Sequence, residues 1–208
     1  MIEAKKRGRP IDPAKVEAIK DCAAELFMEK GYTKVSLDQI AKAASVTKQT
    51  IYRYFKNKDE LFSSIITDKC LEHKPSVEMI EDTNLHPKKF LKILAISFLD
   101  LLFSEDVIHM HTLVMSEAIS GESDIPKLFY KSGPQAMLTM LEDYFKKKHV
   151  KKYLKVNDPE FAADIFYTML KTKKHFQTML GFKVTASNKY KDELAEKVVN
   201  IFYKSFEK

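Results

Sequence analysis

The feature of this sequence that most restricts its fold is a close run of three helix-capping patterns in its first third. Ser36 with Gln39, and Asn57 with Glu60, each form a capping box, and Thr47 is a single cap between them. A cap pairs backbone N–H groups that the first turn of a helix leaves unsatisfied, and is worth about 1 kcal/mol. Because the caps follow one another so closely, they predict three consecutive helices, of which the first two are short.

Apolar side chains at three- and four-residue spacing extend the helical pattern along the chain. The sequence has only five glycines, whereas β-hairpin turns depend on glycine, and no stretch alternates between polar and apolar residues. The fold predicted is therefore all-α. Besides the capped helices, the helices expected are 13–30, 87–104, 106–120, 125–150 with a break at Gly133-Pro134, 159–180 and 187–206.

The second and third helices, joined by a tight turn at Ser45-Val46, have the form of a helix-turn-helix supported by the first helix. Ile51 and Phe55 are four residues apart and are expected to point inward. Polar side chains that hydrogen-bond base edges and phosphates then face outward at the start of the third helix. An alternative interpretation of this face alone is a solvated surface on a small bundle.

The chain carries a formal net charge of +6, and its arginines are placed unevenly. The only three are Arg7, Arg9 and Arg53, all within the first 53 residues, which indicates an anionic partner there. Arg7 and Arg9 belong to the sequence RGRP, which resembles the AT-hook core that lies in an A·T-rich minor groove. The alternative is an ordinary basic, solvated tail.

Several other classes of protein are not expected. Cys22 and Cys70 are too few for a disulfide framework or a multi-cysteine metal site. No phosphate-binding loop, dinucleotide motif, HExxH or nucleophile elbow is present, so we expect neither an enzyme nor a cofactor or metal. The most apolar run, residues 90–103, is too short to cross a bilayer, so no membrane partner is expected and the cytoplasm is the expected compartment.

The segment AAELFMEKGYTKVSLDQIAKAASVTKQTIYRYFKNKDELF closely resembles the DNA-binding domain of the tetracycline-repressor (TetR) family of bacterial transcriptional regulators. The resemblance implies a flexible basic arm over residues 1–12, a helix-turn-helix DNA-binding domain over 13–60, and a helical effector-binding and dimerisation domain over 61–208. The sequence departs from the family pattern at Ser45, where glycine is usual, and at Gln49, where a small residue is common.

The same resemblance implies which residues contact DNA. Lys48, Gln49 and Thr50 are expected to read bases, and Arg53 to contact either bases or backbone. Backbone contacts are expected from Tyr52, Tyr54, Lys58 at the start of the fourth helix, and Ser36. Tyr52 has packing on a thymine methyl as a second implied role, and the alternative role of Ser36 is capping alone. Arg7 and Arg9 complete the predicted DNA-binding set.

The segments EAISGESDIPKLFYKSGPQAMLTMLEDYF and DPEFAADIFYTML resemble the C-terminal domain of the AefR-like subgroup. That resemblance implies a homodimer and a small hydrophobic or amphipathic effector, although each residue set also fits an ordinary core. The expected ligand-binding residues are Phe98, Phe103, Met110, Met115, Phe129, Met137, Met140, Phe166 and Tyr167. The expected dimer contacts are Phe161, Ile165, Met169, Leu194, Val198, Ile201 and Phe202.

Together these features predict a sequence-specific, ligand-responsive repressor that binds a pseudo-palindromic DNA operator as a dimer. Two alternatives stay open. One is a DNA-binding protein that does not switch, whose C-terminal half has a filled core. The other is a helical carrier or enzyme with an incidental helix-turn-helix, which would show no salt-sensitive DNA binding.

Overall fold

A computed structural model describes residues 12–121 and 123–208, so Arg7, Arg9 and all of the predicted arm except Asp12 lie outside the described residues. The all-α prediction is confirmed: the β-type pairing in the described chain is one isolated bridge between Leu154 and Glu207. The helices are α1 (Pro13–Lys30), α2 (Leu37–Ala43), α3 (Lys48–Tyr54), α4 (Lys58–Glu72), α5 (Val77–Glu81), α6 (Pro87–Leu102), α7 (Glu105–Ser120), α8 (Ile125–Ser132), α9 (Pro134–Lys146), α10 (Pro159–Leu170), α11 (Lys173–Met179) and α12 (Asn188–Phe206). None of these described helices combines the length and apolar character needed to cross a membrane.

The chain forms two compact units, Met1–Phe62 and Ser63–Lys208. The core of the first unit contains three aromatic rings, Phe27, Tyr32 and Phe62, whose centroids lie 5.0 to 5.9 Å apart. Tilted and edge-on pairs of this kind add to the stabilisation from apolar burial. This core holds α1 against the helix-turn-helix formed by α2 and α3.

The second unit is built on two helix pairs, α6 with α12 and α9 with α10. The Phe202 ring of α12 lies 5.2 Å from Phe166 and 5.7 Å from Phe145, and the side chain is 1% exposed. Val198 is 4% exposed on the same face. Both side chains thus belong to the core of the second unit, the alternative that the sequence left open for them, and a contact of either with a second copy stays a prediction.

The break at Gly133-Pro134 is confirmed and separates α8 from α9. A Cβ atom on Gly133 would lie 3.1 Å from Ile66 Cγ2 and 3.3 Å from Cys70 Sγ, so close packing also favours glycine here. The prediction of one helix over 159–180 is wrong. The chain leaves helical geometry at Lys171 (φ −83°, ψ 76°), and the Thr172 and Tyr190 hydroxyls are hydrogen-bonded at 2.8 Å beside this break.

The predicted ligand-binding residues fall into three groups. Met115 is 54% exposed on α7, and the remaining residues are buried or partly buried. For all of them the ligand-binding role stays a prediction. The buried ones are Phe98, Met110, Phe166 and Tyr167, and the partly buried ones are Phe103, Phe129, Met137 and Met140.

Candidate nucleic-acid interface

The start of α2 is set by a complete capping box. The Gln39 N–H donates to Ser36 Oγ at 3.3 Å, and the Ser36 N–H donates to Gln39 Oε1 at 2.7 Å. These reciprocal bonds satisfy two backbone donors at the helix terminus. The capping role of Ser36 is thus confirmed, while its contact with a phosphate stays a prediction.

The turn between α2 and α3 closes with two backbone hydrogen bonds. The Val46 N–H donates to the Ala41 carbonyl at 2.9 Å, and the Ser45 N–H donates to the Lys42 carbonyl at 3.3 Å. This is the Schellman pattern, which requires a left-handed residue just beyond the helix. Ser45 supplies it at φ 53°, a conformation that is strained for residues other than glycine.

Replacing Ser45 by glycine is expected to stabilise the helix-turn-helix by about 0.5–1 kcal/mol. Relief of left-handed strain is worth about 1–2 kcal/mol, and the greater freedom of glycine in the unfolded chain offsets about 0.5–1 kcal/mol of that gain. Amide hydrogen exchange at Val46 should slow accordingly. The control is Ser116→Gly in α7, where the exposed serine is helical and the same change should speed local exchange; faster exchange at Val46 would contradict the strain at Ser45.

Helix α3 presents a polar face because two apolar residues anchor its other side. Ile51 is 0% exposed and Phe55 6% exposed, as predicted. Thr47 caps the helix by accepting the Thr50 N–H at 3.1 Å. Side chains of the outward face line one open surface concavity, and the lining residues are Thr47, Gln49, Thr50, Tyr52 and Arg53.

Two aromatic residues on α3 occupy different environments. Tyr52 is 51% exposed, which leaves its ring available to a partner. Tyr54 is half-buried: its hydroxyl accepts the Asp12 backbone N–H at 3.4 Å, and the Arg53 guanidinium lies 5.4 Å from its ring centroid. The hydrogen bond places Asp12, the first described residue, next to α3.

Lys58 has a structural role that the sequence analysis did not foresee. Its ammonium donates to the carbonyls of Tyr32 at 2.9 Å and Val35 at 2.8 Å, and lies 4.1 Å from the Tyr32 ring centroid. The Tyr32 hydroxyl in turn donates to Asp59. These contacts fix the loop before α2 to the start of α4. The role of Lys58 as a phosphate anchor stays a prediction.

Lys48, the first residue of α3, is paired with a residue that the sequence analysis also missed. Its ammonium lies 2.8 Å from Asp38 Oδ2 in the first turn of α2, and this hydrogen bond raises the pKa of Lys48. Both side chains are exposed. The capping box at Ser36 could have indicated this pair, because it sets the register that directs Asp38 outward.

Replacing Asp38 by asparagine is expected to strengthen binding to any DNA about 3- to 10-fold. The change removes a negative charge from the side predicted to face DNA, and it frees Lys48 to pair with a phosphate. Each added phosphate contact makes the slope of log K against log[salt] more negative by about 0.9. Fluorescence anisotropy at several salt concentrations measures both effects. Asp21→Asn, the same change on an exposed part of α1, is the control, and an equal effect there would show that only net charge matters.

Comparison with known proteins places both units in one family. Residues 19–65 match the family described as bacterial regulatory proteins, tetR family, and residues 89–208 match the AefR-like transcriptional repressor C-terminal domain. The regulator YdeS of Bacillus subtilis is 43% identical over 78 residues, 38% of this chain and 37% of that protein. The regulator YvkB of Bacillus subtilis is 25% identical over 165 residues, 73% of this chain and 77% of that protein.

The fold agrees with these matches. The flavonoid-responsive regulator FrrA superimposes with a TM-score of 0.74 and 26% identity, covering 94% of this chain and 98% of that one. The match to YdeS spans little more than a third of that relative, whereas the AefR-like match alone takes in more than half of this chain. The chain therefore belongs to the TetR family of transcriptional regulators, and α2 and α3 form its DNA-binding helix-turn-helix.

Proposed function

We propose that this protein is a ligand-responsive repressor that binds a pseudo-palindromic operator as a homodimer. The observation that carries the proposal is the exposed face of α3, where Lys48, Gln49, Tyr52 and Arg53 project from a helix anchored by the buried Ile51. Their side chains match the donor and acceptor groups at base edges and phosphates. In a dimer, two such helices would enter successive major grooves about 34–36 Å apart.

The basic arm adds a minor-groove contact in this proposal. Asp12 lies beside Tyr54 on α3, so the arm departs next to the predicted DNA surface. An extended chain advances about 3.3–3.6 Å per residue, which lets Arg9 reach about 10 Å and Arg7 about 17 Å from Asp12. Those distances suffice for two arginines to enter the minor groove that flanks the major-groove site.

The second unit binds the effector in this proposal. It contains the partly buried aromatic and methionine side chains Phe103, Phe129, Met137 and Met140, which suit a small amphipathic molecule. In this proposal the effector binds more tightly, by about 1–3 kcal/mol, to a conformation of the dimer whose spacing does not fit the operator. The affinity for the operator then falls by the corresponding factor. Regulation of this kind requires the protein to act in the cytoplasm, where chromosomal DNA and small metabolites meet.

The test is fluorescence anisotropy of the full chain on DNA that flanks its own gene, at two salt concentrations. We expect a dissociation constant of about 10⁻⁸ M or lower at physiological salt, at least about 1,000-fold tighter than on unrelated DNA. Scrambled DNA of the same composition is the control. Weak binding without sequence preference would contradict a specific repressor.

A further inference from the structure

Two histidines lie on different helices of the second unit that pack against each other. His111 lies on α7 and His175 on α11, and these helices pack against one another. His111 Nδ1 lies 2.8 Å from the Val107 carbonyl, so this nitrogen is the protonated one. His175 Nε2 is shielded from solvent and has no hydrogen-bond partner within residues 12–121 and 123–208. A buried polar atom without a partner is costly, and such atoms often receive a ligand.

One cation acts on both rings. Burial, together with smaller contributions from His111 and Lys171, lowers the pKa of His175 to about 4. Burial likewise lowers the pKa of His111, again with a contribution from Lys171. No carboxylate contributes to either shift among the described residues. Both imidazoles are therefore neutral at pH 7, and the positive charge that acts on them is that of Lys171, an exposed residue at the break before α11.

Aromatic edges border the two histidines. The Phe129 ring is 5.1 Å from His111, and the Phe103 ring is 6.1 Å from His175, both in edge-on geometry. Phe103 also lies 6.3 Å from Tyr190 of α12. The cluster thus combines apolar ring surfaces with one unpaired hydrogen-bonding atom and one cation, the combination found in small-molecule sites.

Helix α11 is weakly anchored over this cluster. It has seven residues and none of them is buried. The chain leaves helical geometry before it at Lys171 and turns after it at Gly181, where φ is 81°. Short elements with little buried surface open at low free-energy cost, which provides a path to His175.

We propose that the effector is an aromatic carboxylate and that it binds between α7 and α11. The carboxylate pairs with Lys171 and accepts a hydrogen bond from His175 Nε2–H, while its ring packs against Phe103 and Phe129. This inference rests on the proposed ligand-responsive function and adds the ligand class and the residues that recognise it.

The experiment compares two probes of equal shape, 2-naphthoate and 2-naphthalenemethanol, by isothermal titration calorimetry on the full chain without DNA. We expect 2-naphthoate to bind about 10-fold more tightly than the alcohol. Lys171→Gln should remove that preference, whereas Lys173→Gln, at an exposed lysine two residues away, should preserve it. His175→Leu should weaken 2-naphthoate binding about 10-fold and at the same time raise the melting temperature of the free protein, because it removes an unpaired buried nitrogen.

The outcomes separate this inference from the proposed function. Absence of 2-naphthoate binding at millimolar concentration, or equal binding to wild type and Lys171→Gln, would overturn the carboxylate site while leaving DNA binding and repression untouched. Binding that depends on Lys171 but leaves operator affinity unchanged would support the site and contradict ligand-responsive repression. Binding that depends on Lys171 and lowers operator affinity would support both.

Discussion

Replacing Lys48 and Arg53 together by alanine is expected to lower operator affinity about 1,000-fold or more. Each lost contact to a base or phosphate costs about 1–3 kcal/mol. A dimer loses four such side chains, so the lower limit is about 4 kcal/mol, and each 1.4 kcal/mol is tenfold in affinity. In the wild type the Lys48 ammonium lies 2.8 Å from the Asp38 carboxylate. Removing Lys48 leaves this carboxylate without its partner, so that its negative charge repels the DNA. Fluorescence anisotropy on operator DNA measures the loss, and the salt dependence should become shallower.

Stability should be unchanged in this variant, because both side chains are exposed and the anchors Ile51 and Phe55 are retained. The matched control is Lys183→Ala with Lys204→Ala, which removes the same charge from exposed positions in the second unit. That control should retain operator affinity within about threefold. A loss below tenfold for the α3 variant, or an equal loss for the control, would show that α3 does not read the operator.

The helix-turn-helix was predictable because its borders depend on local interactions. Ser36 and Thr47 accept hydrogen bonds from N–H groups three residues away, so a short stretch of sequence contains all the information. Asn57 accepts the Glu60 N–H at 2.8 Å for the same reason. The Glu60 carboxylate instead accepts the Lys56 N–H at 2.5 Å, a departure from the capping box that depends on the preceding loop.

Contacts between distant segments were not predictable from the pattern. The Lys58 ammonium reaches the carbonyls of Tyr32 and Val35, both more than twenty residues earlier in the chain. The break at Lys171 lacks a proline or glycine, so it carries no local signal. Helical periodicity likewise indicates an apolar face without indicating what covers that face. For Phe202 it left both an interface and a core open, and the structure buries this side chain in the second unit.

Replacing Phe161 and Ile201 together by aspartate is expected to dissociate the proposed dimer. Of the predicted interface residues, these two are the most exposed, at 55% and 57%, and they lie on α10 and α12, which pack against each other. Ile165 is intermediate, and Met169 and Leu194 pack against the subunit core. Carboxylates placed on an apolar interface remain unpaired and cost several kcal/mol on association. Analytical ultracentrifugation should show monomers where the wild type shows dimers.

Operator affinity should fall about 1,000-fold with the dimer, because two linked recognition helices bind the second half-site at an effective concentration that separate monomers do not have. Single half-site DNA distinguishes this cause from damage to α3: the variant and the wild type should bind it equally. The control is Leu180→Asp with Phe182→Asp, two apolar side chains just after α11 that are 60% and 59% exposed. If that control becomes monomeric while the Phe161 and Ile201 variant remains dimeric, the interface lies on the α11 side. This result would contradict the assignment to Phe161 and Ile201.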